Sequence, residues 1–223
     1  MRSAFLTVGS SKAEPASPPN HFEKDIAKFE AADLQNPPPQ HAILFVGDST
    51  FTRWKSIQDD WQGYTVINRG FGGSQMSDLL HFTDRIVVRY KPRFIVVQEG
   101  GNDIHSGKSP EQFLEEVKAF IEKVHTALPD VPIAIDSITP NTARWSEIES
   151  RKRANQLVKD YVATQKNVVF VNFFDPFLGA DGKPREELFV EDHMHPSAAG
   201  YQLRVQILRP ILGNPDKQPA GKN

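Results

Sequence analysis

Four short polar clusters in this sequence carry the residue types needed for acyl transfer through a serine. They supply a serine hydroxyl, several N–H groups, and an aspartate and a histidine three residues apart. A covalent serine ester needs a nucleophile, a base with an orienting carboxylate, and donors for an oxyanion. The ordered set therefore predicts a serine acyl-transfer site. The clusters are Gly47-Asp48-Ser49-Thr50, Asn68-Arg69-Gly70-Phe71-Gly72-Gly73, Gly100-Gly101-Asn102-Asp103 and Asp192-His193-Met194-His195.

Asp192 and His195 fall in a polar loop just before the last predicted helix. At this spacing the carboxylate can accept a hydrogen bond from the imidazole Nδ1–H while Nε2 faces Ser49. An alternative interpretation makes Asp192, His193 and His195 metal ligands. It is disfavoured because no further cluster with ligand spacing is evident. Ser49 also has a simpler alternative role, which is to cap the helical turn that starts near Thr50.

Three N–H groups are candidates for stabilising an oxyanion. The Ser49 N–H starts a predicted helical turn, where backbone donors point at anions. Gly73 lies in a glycine-rich loop whose backbone can approach a ligand closely. Asn102 offers a side-chain amide on a tight loop, although asparagine is also a common turn residue.

The elements that must position these groups follow from five short apolar runs, and the runs predict strands buried on both faces of a parallel sheet. Helical patterns fill the gaps, and this alternation predicts a three-layer α/β/α sandwich of about five parallel strands. Loops after parallel strands share one edge of the sheet, so Ser49, Gly73 and Asn102 are expected to converge there. The predicted strands are 42–46, 65–67, 94–97, 133–135 and 168–171, and the helices about 22–36, 76–90, 109–128, 145–164 and 197–208.

Length and composition limit the number of domains, the partners and the kinds of site that this protein can have. The 223 residues suit one domain, predicted over 20–213, with flexible tails at 1–19 and 214–223. The net charge of −2 favours neither nucleic acid nor an anionic membrane as a partner. The absence of cysteine excludes disulfides, thiolate metal sites and a cysteine nucleophile. The oligomeric state stays open, and so does the choice between a cytoplasmic and an exported protein.

Together the four clusters resemble the SGNH (GDSL-type) hydrolase family over about residues 40–210. The resemblance implies the flavodoxin-like topology of that family and a bacterial branch similar to acetylhydrolases and carbohydrate acetyl esterases. It implies Ser49 as nucleophile, His195 as base and acid, and Asp192 as its orienting partner. Ser49, Gly73 and Asn102 would form the oxyanion hole, and no cofactor or metal is expected. The matching residues are Gly47-Asp48-Ser49, Asn68/Gly70/Gly73/Asp78, Gly100-x-Asn102-Asp103 and Asp192-x-x-His195.

Two positions depart from the family pattern. Glu99 places a carboxylate near the site, where Arg69 or Arg144 could pair with it, unless it forms an ordinary loop salt bridge. His193 takes a position usually given to glycine, which predicts a stiffer loop around His195. We predict Asp48, Glu99 and Arg144 as substrate contacts. Trp54, Trp61 and Trp145 offer surfaces for stacking on sugars, although tryptophan more often packs in the core.

The sequence therefore predicts a serine carboxylic-ester hydrolase that acts on small, acetyl-type esters, with esters of carbohydrates as one substrate class. An acyltransferase using the same triad and a non-catalytic carbohydrate-binding domain are the alternatives. The G-x-S-x-G elbow of α/β-hydrolases is absent, since Phe51 stands two residues after Ser49. A flavodoxin-like nucleotide binder is disfavoured because the sequence has no phosphate loop.

Overall fold

In a computed structural model that describes residues 19–213, five parallel strands form one sheet in the order β2-β1-β3-β4-β5. This order and the flanking helices confirm the three-layer α/β/α sandwich with flavodoxin-like topology. The predicted tails lie outside the described residues, except that Pro19 begins a short 3₁₀ helix. The strands are β1 (Ile43–Gly47), β2 (Val66–Gly70), β3 (Phe94–Gln98), β4 (Ile133–Asp136) and β5 (Val168–Val171).

Helices cover both faces of the sheet. Residues of α1, α4, α6 and α7 pack in one core cluster with the sheet, and residues of α2, α3 and α8 pack in the other. Short 3₁₀ helices span Pro19–Phe22, Val88–Tyr90, Thr142–Glu147, Asp175–Phe177 and Glu186–Leu188. The α-helices are α1 (Glu23–Gln35), α2 (Ser49–Thr52), α3 (Ile57–Asp60), α4 (Met76–Ile86), α5 (Gly101–His105), α6 (Pro110–Ala127), α7 (Ile148–Val162) and α8 (Ala198–Leu212).

The apolar strands have no polar alternation because both faces of each central strand are covered. In β1, Leu44 and Val46 belong to the cluster beneath α4 and α6, whereas Ile43 and Phe45 belong to the cluster beneath α8. All five residues of β1 are buried. Every position of such a strand faces apolar side chains, and this is the physical reason for the continuous runs in the sequence.

The second strand is longer than predicted. We expected 65–67, whereas β2 continues through Asn68 and Arg69 to Gly70. These polar side chains are tolerated in a strand because they have specific partners. The Asn68 amide donates to the Phe51 carbonyl at 2.7 Å, and Arg69 pairs with Asp33.

The carboxyl ends of β1, β2 and β3 lie side by side. Gly47 of β1 stands opposite Gly70 of β2 and Gln98 of β3 in the register of the sheet. The loops that follow these strands hold the first three polar clusters, so the sheet gathers them at one edge. Among residues 19–213, no helix is both long and apolar enough to cross a membrane.

Candidate active site

Ser49 is the first residue of α2, and only Asp48 separates it from the end of β1. The Asp48 carboxylate caps this helix by accepting from the Thr50 N–H at 2.8 Å. Gly47 makes the sharp exit from the strand possible. Its φ is +143°, and a Cβ at this position would lie 2.0 Å from the Gln98 carbonyl oxygen. The half-buried Ser49 hydroxyl is therefore presented at the sheet edge by a backbone that only glycine permits.

A chain of hydrogen bonds joins Ser49, His195 and Asp192. The Ser49 Oγ lies 2.9 Å from Nε2 of His195, and Nδ1 of the same ring lies 2.6 Å from Oδ2 of Asp192. A carboxylate only accepts hydrogen bonds, so Nδ1 carries the proton and Nε2 is free to accept from the serine hydroxyl. The structure thus brings together the three residues that the sequence predicted, in the arrangement needed for proton transfer from serine.

Asp192 is held ionised by its surroundings. Partial burial opposes ionisation, but hydrogen bonds from the His195 and Met194 N–H groups and from the imidazole outweigh it and lower the pKa of Asp192 to about 2. The two N–H groups donate to Oδ1 at 2.9 and 3.0 Å. Arg53 Nη1 donates to Oδ2 at 3.1 Å. The carboxylate is therefore oriented by donors on both of its oxygens.

The loop that carries the imidazole contains a left-handed residue. His193 has φ +55°, a region where glycine has no steric cost. Its ring Nδ1 lies 2.7 Å from a Glu186 oxygen. The structure does not bring Asp192, His193 and His195 together as a set of metal ligands. Within the part of the chain that the structure describes, no group of three or more potential ligands could hold a metal ion.

Each of the three groups that the sequence predicted for the oxyanion has an N–H with no acceptor among the described residues. Among the described residues, no atom accepts a hydrogen bond from the Ser49 N–H or from the Gly73 N–H. A Cβ on Gly72, the preceding residue, would lie 3.6 Å from Ser49 Cβ, and Gly73 itself is exposed with φ +90°. The Asn102 amide uses one N–H to donate to the Ser74 carbonyl at 3.0 Å, which leaves its second N–H free.

Arg144 fixes which way the Asn102 amide faces. Its Nη1 donates to Oδ1 of Asn102 at 3.2 Å and to the Gly101 carbonyl at 3.0 Å. Because a guanidinium can only donate, the oxygen of the amide must face Arg144 and the NH₂ group must face away from it. Asn102 therefore presents an N–H donor, and not a carbonyl oxygen, on the side of Ser74.

The profile of the GDSL-like Lipase/Acylhydrolase family matches residues 40–203. The chain belongs to this family. Esterase TesA from Pseudomonas aeruginosa is 25% identical over an alignment of 184 residues, which covers 76% of this chain and 87% of that protein. The GDSL-like hydrolase described here is thus a carboxylic ester hydrolase, as the sequence predicted.

Solved structures share the fold of this GDSL hydrolase. A Streptococcus pneumoniae protein whose description names platelet activating factor superimposes with a TM-score of 0.78 at 26% identity, covering 87% of this chain and 94% of that one. A GDSL-like lipase from Bacteroides thetaiotaomicron superimposes with a TM-score of 0.72 at 16% identity, covering 84% and 96%.

The three predicted substrate contacts of the GDSL hydrolase have different positions. Asp48 and Arg144 line a cavity beside Ser49. Glu99 does not, because it is buried behind the loop, where Oε1 accepts from the Ser74 hydroxyl at 2.6 Å. The predicted pairing of Glu99 with Arg69 or Arg144 is wrong. Both arginines have other partners, and a buried serine hydroxyl takes their place at Glu99.

The three tryptophans also differ in burial. Trp54 and Trp61 are fully buried in the cluster beneath α8, so the idea that they stack on sugars is wrong and their apolar area stabilises the core. Trp145 is half-buried, and Lys183 Nζ lies 4.8 Å from its ring centroid. His105 pairs with Glu147 at 2.6 Å and does not line the cavity beside Ser49.

Sequence reasoning missed two residues that support this site. Arg53, which contacts Asp192, stands four residues after Ser49, and one helical turn places it on the same side of α2. Ser74 directly follows Gly73 and joins the Asn102 amide to Glu99. The helical spacing could have indicated Arg53. Nothing in the sequence indicates the partners of Ser74.

Proposed function

We propose that this protein hydrolyses small, acetyl-type esters through an acyl-enzyme formed on Ser49. The observation that carries the proposal is the continuous hydrogen-bond chain from Asp192 through His195 to the Ser49 hydroxyl. The free Ser49 N–H beside it supports the proposal, because the same residue then supplies both a nucleophile and an oxyanion donor.

The proposed reaction has two steps, acylation of Ser49 and hydrolysis of the acyl-enzyme, and both use the same groups. His195 Nε2 takes the proton of Ser49 as Oγ attacks the ester carbonyl, and the resulting imidazolium is stabilised by the ionised Asp192. The oxyanion accepts from the N–H groups of Ser49, Gly73 and Asn102. The imidazolium returns its proton to the leaving alcohol, and the acyl group remains on Oγ. Water then attacks the acyl-enzyme by the same steps, releasing the acid and restoring the serine.

The size of the cavity beside Ser49 supports a small acyl group. Its volume is about 30 Å³, which is room for about two water molecules. Apolar atoms of Ile138 and Met194 share the lining with polar groups. An acetyl group suits this space, whereas a long alkyl chain would have to extend into solvent.

Replacing Ser49 or His195 tests the role of the triad. We expect Ser49→Ala and His195→Ala each to reduce turnover of p-nitrophenyl acetate by at least about 10³-fold while circular dichroism stays unchanged. Ser146→Ala, at an exposed serine, serves as the matched control and should retain activity. Near wild-type turnover in either triad variant would exclude the proposed mechanism.

A series of p-nitrophenyl esters tests the acyl preference. We expect kcat/KM to be highest for acetate and to fall by about tenfold or more by octanoate, because added methylenes find no space. Labelling by a fluorophosphonate, which should require Ser49, separates an enzyme from a carbohydrate-binding domain. Product analysis with an added polyol separates hydrolysis from acyl transfer. A preference that rises with chain length would contradict the small acyl group.

A further inference from the structure

We propose that the substrates of this hydrolase carry an anionic oxyacid group, a carboxylate or a phosphate, on their alcohol portion, and that Arg144 binds this group. The inference rests on the proposed function, because it assigns the alcohol of the same ester. It starts from an arginine that lines the cavity beside Ser49 and has no acidic partner.

The hydrogen bonds of Arg144 leave most of its guanidinium unused. Both of its side-chain bonds come from Nη1, and both go to neutral oxygen atoms, those of Gly101 and Asn102. Nε and Nη2 have no partner among residues 19–213. These two nitrogens form a planar fork that matches the two oxygens of a carboxylate or a phosphate.

The carboxylates closest to Arg144 have other partners. Glu147 accepts from Arg151 at 2.8 Å through Oε2 and pairs with His105 through Oε1. Asp48 caps α2 through the Thr50 N–H. Within the described residues, no carboxylate oxygen lies within 4.0 Å of the Arg144 guanidinium, whereas Arg151, the other arginine in the same cavity wall, is paired with Glu147.

The surroundings of Arg144 disfavour the charged form of its guanidinium. Its side chain is half-buried, and burial together with the neighbouring Arg151 lowers the pKa of Arg144 below the usual arginine range. The charges of Glu147 and Asp48 offset this only in part, so a partly desolvated cation remains that an incoming anion would stabilise. The site is therefore electrostatically complementary to a negatively charged ligand.

Hydrogen bonds hold the backbone of Arg144 in place, in addition to the two that hold its guanidinium. Arg144 lies in the 3₁₀ helix Thr142–Glu147, and its N–H donates to the side chain of the buried Asn141 at 2.9 Å. The neighbouring Ala143 N–H donates to the His193 carbonyl at 3.3 Å, in the loop that carries the imidazole. The arginine is thus held in register with the reacting groups before any ligand binds.

The anionic group belongs on the alcohol and not on the acyl group. We place the charge on the alcohol because a cavity of about 30 Å³ beside Ser49 favours a small acyl group over one that carries a further substituent. Arg144 is half-buried, so part of this residue is accessible to a group that extends from the cavity into solvent. Substrates of this class are acetyl esters of hydroxy acids, of acidic sugars or of phosphorylated alcohols.

A matched pair of esters tests the proposal. We compare kcat/KM for 3-acetoxybenzoate and for its neutral isostere 3-acetoxybenzamide, and use 3-acetoxyphenyl phosphate to distinguish phosphate from carboxylate. For the wild type we expect kcat/KM for one of the two anionic esters to exceed that for the neutral 3-acetoxybenzamide by about tenfold or more. This ratio of anionic to neutral kcat/KM corresponds to the strength of a charge-assisted hydrogen bond. Arg144→Gln should bring the ratio close to one, and Arg144→Lys should keep part of the preference.

The control is Arg153→Gln, which removes the same charge from an exposed position on α7 and should leave the ratio unchanged. Arg144→Gln is also expected to slow the neutral ester, since Arg144 orients Asn102, and the ratio removes this common effect. Equal kcat/KM for all three esters in the wild type would overturn the proposal. So would an unchanged preference in a folded Arg144→Gln.

A second measurement needs no variant. Benzoate should inhibit the wild-type hydrolysis of p-nitrophenyl acetate more strongly than benzamide, and added salt should weaken this inhibition because it screens the charge pair. Equal inhibition by both compounds would contradict the proposal. Loss of the p-nitrophenyl acetate activity in Ser49→Ala tests only the proposed function, so the two proposals can fail separately.

Discussion

At the scale of single residues, one aspartate determines which nitrogen of His195 carries the proton. Asp192 accepts from the imidazole through Oδ2, and its other oxygen accepts from the backbone of the same histidine. The ring is therefore held in one orientation and one tautomer before substrate arrives. Arg53 adds a donor to Oδ2 at the exposed side, where ion pairs contribute little to stability.

Replacing Asp192 by asparagine tests this arrangement. The amide NH₂ would face Nδ1 and favour the tautomer that has the proton on Nε2, which cannot accept from Ser49. We expect Asp192→Asn to lower kcat for p-nitrophenyl acetate by about 10³–10⁴-fold, with a folded protein by circular dichroism. A kcat within tenfold of the wild type would show that the tautomer is set by something other than Asp192.

At the scale of elements, the loops after β2 and β3 are joined through a buried carboxyl group. The Ser74 hydroxyl donates to Glu99 Oε1, and the Ser74 carbonyl accepts from Asn102. Oε2 of Glu99 has no hydrogen-bond partner in the described part of the chain. Burial raises the pKa of Glu99 well above its usual range, and the charges of Asp48 and Asp103 raise it further.

This burial predicts a pH dependence of stability. With a raised pKa, folded Glu99 keeps its proton where the unfolded chain has lost it, so its contribution is complete below about pH 4.5 and is lost as pH rises toward the folded pKa. We expect Glu99→Gln to remove this decline in the free energy of unfolding, measured with urea from pH 4 to 9. Glu115→Gln, at an exposed glutamate, is the control and should follow the wild type. Parallel curves for wild type and Glu99→Gln would refute this assignment.

The elements also show what sequence can and cannot predict. Continuous apolar runs identified four strands closely, because burial on both faces leaves a local signal. The fifth, β2, was cut short at Asn68, since its polar residues are satisfied by Phe51 and Asp33 from distant segments. Ser49, Asp192 and His195 were found from motifs. The Glu99–Ser74 contact was not, because local spacing carries no information about which distant side chain fills a buried space.

At the scale of the whole molecule, α8 connects the imidazole loop to the rest of the fold. The Tyr201 hydroxyl donates to the Thr50 carbonyl in α2 at 2.8 Å, and its ring stacks on Trp54 at 4.8 Å. One turn further along, the fully buried Arg204 donates to Asp136 of β4 and to Gln98 of β3. A single helix thus holds the segments that carry Ser49 and His195 in fixed positions relative to each other.

Removing the buried guanidinium tests this connection. We expect Arg204→Met to lower the free energy of unfolding by about 3–5 kcal/mol, because Asp136 is left buried without its cation. Combining it with Asp136→Asn should recover part of the loss, as no buried charge then remains. Arg209→Met, at an exposed arginine of the same helix, should change stability by less than about 1 kcal/mol. Urea unfolding measures all three, and a loss below 1 kcal/mol for Arg204→Met would contradict the expectation.

The partners of the central hydrogen bond, Ser49 and His195, stand 146 positions apart in the chain. During synthesis the serine therefore leaves the ribosome long before its base exists. Under the proposed mechanism, the Ser49 hydroxyl of a growing polypeptide is unreactive, and no ester is cleaved until the segment with His195 has folded back onto the first strand. The time at which esterase activity appears in a translation reaction therefore reports when folding of the chain is complete.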